Sequence, residues 1–428
     1  MVTAPRVVKG MHDLLPAEAR ATSALEAAFR SCMERARFGE LRTPYVEQLS
    51  LFVRSVGAGT DIVDKEIYAF EYHGESLALR PEGTASAVRA YVEQKVHTKE
   101  PVSRFWYSGP MFRGERPQKG RYRQFSQLGA EVFGDTGPGV DAEIIDLLVG
   151  FLRDLGISGT TVHLGTIGGP ETRTRYRDAL VEYLTPRAAE LGAESQRRLT
   201  TNPLRILDSK REEDRKIVQD APAIAEFLSD ADRAHFDGLR RLLDKLGTPY
   251  TVDPRLVRGL DYYTRTLFEI KGATEILGAG DTLVGGGRYD HLVSSWGGPD
   301  VPAFGFGAGV ERLLLAQAAE PAKPAPFAFV APLGERAMDE ALMLVRELRH
   351  LGVPAEADLR GGSAKSLFKR ADNLGASLVL LLGDRELDQG VVAVKDLNAE
   401  APSQTEVPRA EVALHVAARL APPAPEPT

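Results

Sequence analysis

The chain has 428 residues, 43% hydrophobic and 26% charged, with a formal net charge of −7. That composition suits a globular protein of two or three domains. It excludes a helical membrane protein, because no apolar run approaches the roughly 20 residues a span needs, and a protein that coats nucleic acid non-specifically, because phosphate binding needs local cations. Cys32 is the only cysteine, so internal disulfides and multi-thiolate zinc sites are excluded too. The eight histidines show no HExxH spacing, so no metal-ligating residue is expected. The N-terminal stretch MVTAPRVVKGMHDLLP has no apolar core of signal-peptide length, and a cytoplasmic location is expected.

Residues 16–38 carry Leu25, Ala28, Phe29, Cys32 and Ala36 on one helical stripe, closed by Gly39. Next comes LRTPYVEQLSLFVRSVG, a short strand and an amphipathic segment; Pro44 removes a ladder donor, which puts Thr43 and Pro44 at an edge or bulge. Residues 68–80 form a hairpin pattern turned at Gly74 and run into Arg80-Pro81-Glu82-Gly83-Thr84, after which residues 85–92 have helical period. Glu82 and Thr84 are either plain caps of that helix or polar groups facing a ligand.

Residues 104–133 form a second hairpin with a basic tip of Arg116, Lys119, Arg121 and Arg123. On its returning strand Arg121, Arg123, Phe125, Gln127, Gly129 and Glu131 share a polar face, and Tyr122 to Val132 by twos lie on the other, which becomes apolar. Gln127 and Glu131 stand roughly 13 Å apart with only Gly129 between them. That is the outline of a floor for a small molecule, amide at one end and carboxylate at the other. Arg113 and Phe125 add a cation and an aromatic face, suited to a phosphate and a purine. A solvated edge hairpin is the plainer alternative.

Residues 141–155 read as an amphipathic helix, and residues 170–246 as charged helices with few strand signals. Residues 261–270 alternate as a strand, and LVGGGRYDHLV sets three glycines against Arg288, either a plain turn or a close backbone approach to a ligand. FGFGAGVERLLL is a Gly-rich passage into a helix whose first turn carries Arg312, suited to phosphate. Its glycines lack the GxGxxG spacing, which excludes a dinucleotide fingerprint. An Ala- and Pro-rich linker at 318–326 leads to alternating strands and helices over 327–421, a small α/β domain with largely parallel strands, and residues 422–428 should be disordered.

The string FRGERPQKGRYRQFSQLGAEVFG resembles motif 2 of the class II aminoacyl-tRNA synthetases in the form found in the histidyl-tRNA synthetase family, departing from it at Gly114 and Ser126. LRTPYVEQLSLFVRSVG resembles motif 1, FGFGAGVERLLL resembles motif 3, and LVRGLDYYTRTLFEI and LVGGGRYDHLV resemble the two peptides that set this family apart. The resemblance implies an α+β fold: a catalytic core at 1–169 and 247–317 built on an antiparallel sheet with helices, a helical insertion at 170–246 over the acceptor end of the tRNA, and a C-terminal α/β anticodon-binding domain. It implies a homodimer that activates L-histidine with ATP and Mg2+ and charges tRNA(His), without a membrane.

Carried over by residue, the family pattern gives Arg113 and Arg258 as catalytic cations on the α-phosphate, and Arg121 and Arg312 on the outer phosphates, with Phe125 against adenine. Glu82, Gly83, Thr84, Gln127 and Arg258 would hold the amino acid, and Glu131, Tyr262 and Tyr263 its imidazole end. Arg116, Lys119 and Arg123 would meet the tRNA, as would Arg360, Lys365, Lys369, Arg370 and Lys395 in the C-terminal domain. A catalytically silent paralogue that regulates ATP phosphoribosyltransferase is the rival reading. The residues retained at Arg113, Gln127, Glu131 and Arg258 and the C-terminal module argue against it, and the stretch 258–263 argues against a sister synthetase for proline, threonine or glycine.

Overall fold

A computed structural model describes residues 4–57, 60, 62–209, 211–256, 260–277, 281–317, 325–399 and 403–420. Arg258 and most of the expected linker and tail lie outside the described residues. The chain divides into two compact units, Met1–Pro321 and Ala322–Thr428.

The first unit is built on an eight-stranded sheet in the order Gly39–Glu40, Ser103–Phe112, Gln124–Phe133, Ala303–Gly309, Thr282–Arg288, Thr264–Lys271, Thr161–Thr166 and Tyr250–Val252. The six inner strands run antiparallel, and each outermost strand joins in parallel. An antiparallel sheet can present two unlike faces. Leu128, Ala130 and Val132 pack with Trp106, Phe304 and Phe306 into the main apolar core, which takes in side chains of the helices Pro16–Arg35, Pro138–Asp154, Asp230–Leu246 and Val310–Gln317. The alternate positions Phe125, Gln127, Gly129 and Glu131 belong to the opposite face, as the alternation in the sequence requires.

The helix Pro16–Arg35 starts on a proline, whose missing N–H costs nothing in the first turn, and buries Leu25, Phe29, Cys32 and Met33. Each large side chain so buried contributes about 1.5–3 kcal/mol. The helix stops short of Phe38 because Arg37 turns left-handed, at φ 63°. The first hairpin, Ala69–Tyr72 with Glu75–Leu79, turns at His73 and Gly74, both with positive φ, and Val46–Gln48 joins it in a three-stranded sheet.

Between 170 and 246 the described residues form helices and no strand. They have a core of their own around Tyr176, Leu180, Leu184, Leu204 and Ile206, which also takes in Tyr263 and Leu267. The last of these helices, Asp230–Leu246, gives Leu239 and Leu243 to the main core. Its buried Asp232 accepts from the Gly169 N–H at 2.9 Å, Thr172 Oγ1 at 2.7 Å and Arg265 Nε at 3.1 Å, tying the insertion to the strand Thr264–Lys271.

The second unit has a five-stranded sheet in the order Ala355–Ala357, Ala328–Pro332, Leu378–Leu382, Val391–Asp396 and Ser403–Pro408. The expected parallel arrangement holds for the first three strands only; the last two pair antiparallel. The connection from Leu382 to Val391 is the short helix Asp384–Gln389 and a left-handed Gly390, too short for a parallel crossover of a dozen residues or more.

Candidate active site

On the face of the large sheet away from the main core, the cross-strand register sets small residues against large ones. Tyr107 lies opposite Gly129, which lies opposite Gly307, and Phe105 lies opposite Glu131, which lies opposite Gly305. A Cβ on Gly305 would overlap Glu131 Oε2, and one on Gly307 would overlap the Gln127 amide. The Gly-rich passage expected to lead into a helix is therefore a strand, Ala303–Gly309, whose missing side chains leave room for the polar side chains of its neighbour. The helix begins only at Val310.

This face floors a cavity of about 350 Å³. Glu82, Thr84, Gln127, Tyr262 and Tyr263 line it together with Arg113, Arg121, Phe125 and Arg312, so stretches distant in sequence converge as expected. Arg258 cannot be placed among them, since it lies outside the described residues.

At one end the groups are suited to a small polar molecule. Glu82 is 2% exposed and accepts the backbone N–H groups of Thr84 at 2.7 Å and Ala85 at 2.8 Å. It is thus both the cap of the helix Thr84–Glu93 and a wall of the cavity; burial pushes its carboxyl up, and the two N–H groups and nearby Arg113 act against that. Gln127 Oε1 is buried and accepts no hydrogen bond among the described residues, an acceptor awaiting a donor. The Tyr262 and Tyr263 rings lie 4.7 Å apart, and Tyr262 meets Tyr289 edge-on at 5.5 Å.

Glu131 sits one layer deeper than expected. It is 0% exposed and lies beneath the cavity floor, accepting from Thr84 Oγ1 at 2.8 Å, Tyr107 Oη at 2.9 Å and the Tyr289 hydroxyl. Burial pushes its carboxyl up to about 8 and nearby Glu82 adds to this, while the three hydroxyl donors pull the other way. The open floor expected over Gly129 is not there: the Tyr107 ring fills that gap. Gly83, expected at the ligand, instead faces the same ring, and a Cβ on either glycine would overlap it. No spacing in the sequence pairs residue 107 with residues 83 and 129; only the register does.

At the other end the groups are cationic. The Arg113 guanidinium donates to the Pro81 carbonyl at 2.8 Å and lies 5.2 Å from the Phe125 ring centre. Arg312 donates to the Thr282 carbonyl at 2.6 Å, and burial, with Arg121 next to it, pulls its guanidinium down. Arg121 lies 3.6 Å from Glu115. Glu115, Glu269 and Glu311 line the same cavity and were not singled out in the sequence. No three carboxylates or imidazoles converge on a metal position among the described residues.

The remaining residues singled out in the sequence are placed as follows. Arg123 is half-buried: it donates to the Glu115 carbonyl within the tip loop at 3.3 Å and packs on Gly10. Arg116 and Lys119 remain exposed on the loop. Arg288 faces no ligand; it is 0% exposed, paired with Asp141 at 2.8 Å, and donates to the carbonyls of Asp135 and Gly137. Of the three glycines before it only Gly285 lines the cavity, because Gly286 and Gly287 abut the neighbouring strands. In the second unit Arg360 and Arg370 are paired with Asp358, at 3.0 and 3.1 Å, and Lys395 lies over the Phe368 ring at 4.7 Å.

The same division appears in comparisons with known proteins. The family model for histidyl-tRNA synthetase matches residues 10–313, and the model for an anticodon binding domain matches 328–419. The histidine–tRNA ligase of Sorangium cellulosum is 55% identical, over 94% of this chain and 94% of its own. That of Synechocystis is 48% identical, over 91% and 88%. The crystal structure of the apo histidyl-tRNA synthetase of S. aureus superposes with a TM-score of 0.80 at 33% identity, covering 97% of this chain and 100% of its own. Sequence, sheet order and cavity agree, and the chain belongs to the histidyl-tRNA synthetase family.

Proposed function

We infer that the chain is a histidine–tRNA ligase. It joins L-histidine to ATP, giving histidyl-adenylate and pyrophosphate, and then passes the histidyl group to the terminal ribose of tRNA(His). The observation that carries this reading is one cavity lined by Glu82, by a Gln127 amide oxygen with no partner among the described residues, and by three guanidinium groups, with the buried Glu131 beneath its floor.

In the first step a histidine carboxylate oxygen bonds to the α-phosphorus as the bond to pyrophosphate breaks. Two anions must meet, so the chief task is to hold them in line and offset their charge. Arg113 takes the α-phosphate, with Arg258 as its proposed companion, and Arg121 and Arg312 take the outer phosphates. Magnesium carried by ATP would add charge there. Phe125 offers its ring to adenine, although the Arg113 guanidinium already lies over that ring. Gln127 Oε1 and Glu82 accept from the ammonium group, next to Thr84. Tyr263 and Glu131 address the imidazole, which brings to Glu131 what the free pocket lacks, an N–H donor able to carry positive charge. In the second step a ribose hydroxyl attacks the histidyl carbonyl and AMP leaves.

The exposed Arg116 and Lys119 are the tip residues left free to meet tRNA phosphates. We further propose a homodimer, because Val46, Phe70 and Tyr72 are exposed together on the small three-stranded sheet, an apolar patch suited to a second copy. A cytoplasmic location fits this reading; among the described residues no helix is long and apolar enough to cross a membrane. The regulatory paralogue is less well supported, since the relatives matched over nearly the full length are histidine–tRNA ligases.

The test is ATP–pyrophosphate exchange against the standard amino acids. Exchange should depend on histidine alone, by a margin of about 10⁴–10⁵ over analogues lacking its hydrogen-bonding groups. No exchange, or equal exchange with another amino acid, would overturn the reading.

A further inference from the structure

The side chain that fixes Glu131 is one that nothing about the nucleotide chemistry calls for. Tyr107 is 4% exposed, in the strand Ser103–Phe112, and its ring occupies a notch left open by Gly83 on one side and Gly129 on the other. Both walls are backbone, so the ring has no room to swing, and its hydroxyl is held 2.9 Å from Glu131 Oε1. The same oxygen accepts from Thr84 Oγ1 at 2.8 Å, which uses both of its lone pairs. Oε2 accepts from Tyr289 alone among these donors and keeps one lone pair. Gly305, without a side chain, makes the room that this oxygen occupies.

We propose that Tyr107 is a specificity-determining positioning residue: wedged between two glycines, it holds one oxygen of Glu131 so that the other presents a single acceptor direction to a ring N–H of the substrate. The inference rests on reading this end of the cavity as the histidine pocket. It gives the glycines at 83 and 129 a shared purpose, since a side chain on either would displace the hydroxyl. Among the described residues the ionisable groups that act on Glu131 are Glu82, Tyr107, Tyr262 and Tyr289, and none of these brings a positive charge. The carboxyl depends on hydroxyl donors for its orientation, and removing one is felt directly.

The test is steady-state pyrophosphate exchange with Tyr107→Phe, which keeps the ring in its notch and deletes only the hydroxyl. Losing a hydrogen bond to a charged group should raise the KM for histidine about 10- to 100-fold. The KM for ATP and the thermal midpoint should stay at wild-type values. Gly83→Ala, which retains the hydroxyl but forces the ring aside, should raise the KM for histidine in the same way, with a lowered thermal midpoint as well. In a Glu131→Gln background the Tyr107→Phe change should add little, because both act on one contact. An unchanged histidine KM, parallel rises in the histidine and ATP KM, or full additivity with Glu131→Gln would each overturn the proposal. Absence of histidine-dependent exchange in the wild-type protein would instead sink the reading of the site, so the two failures are distinguishable.

Discussion

Asp141 and Glu131 are both fully buried in the first unit, and their surroundings differ in one respect. Asp141, in the first turn of the helix Pro138–Asp154, meets Arg288 through both oxygens at 2.8 and 3.1 Å, and also Thr266 Oγ1 at 2.6 Å and His235 Nε2 at 2.9 Å. Glu131 receives three hydroxyls and, among the described residues, no cation. The first group is a finished ion pair joining two helices and two strands. The second is a charge site lacking its counter-charge. A buried carboxyl is costly unless paired, so the comparison separates a group that holds the fold from one whose partner arrives with the substrate.

The largest effect should come from breaking the finished pair. Asp141→Ala leaves the buried Arg288 guanidinium with only the single contact to Asp290, at 3.3 Å, as counter-ion, and removing one member of such a buried pair costs up to about 3–5 kcal/mol. Urea unfolding should show a loss of that size, and a change below about 1 kcal/mol would mean that Arg288 finds other partners.

A smaller effect, on stability alone, should follow from the incomplete site. Burial raises the Glu131 carboxyl from an ordinary 4.5 to about 8. Below pH 4.5 the group is protonated folded or unfolded, and its contribution is fully present. As the pH rises from there the unfolded chain binds fewer protons than the folded one, and stability falls until the folded group ionises near pH 8. Glu131→Gln has no proton to lose. Its stability relative to wild type should therefore improve steadily across that window, measured by unfolding without histidine at several pH values. A difference independent of pH would show that the raised carboxyl is not felt.

Much of this arrangement could be read from residue order. The alternation in 124–133 placed Phe125, Gln127 and Glu131 on one face of a strand, and the helical stripe from Leu25 to Cys32 marked the core side. The family resemblance gathered the arginines and tyrosines into one site. Depth was not legible. A period of two says which side a residue faces, but not whether a ring from the next strand covers it, and so Tyr107 was missed and the gap over Gly129 was taken for open floor. The purpose of the glycines at 305 and 307 was hidden for the same reason: it is set by what lies across the ladder. The structural role of Arg288 was likewise hidden, because Asp141, its partner, lies 147 residues away in sequence.

The central claim is that Glu131 is the carboxyl a histidine ring completes. Its most direct test is the pair of Michaelis constants in pyrophosphate exchange for Glu131→Gln, a change of one atom that keeps the shape of the side chain. The KM for histidine should rise by at least about ten-fold, as for a lost charge-assisted hydrogen bond, with the KM for ATP unchanged. If both constants rise together, or neither moves, Glu131 is a structural group like Asp141 and the histidine ring is read elsewhere.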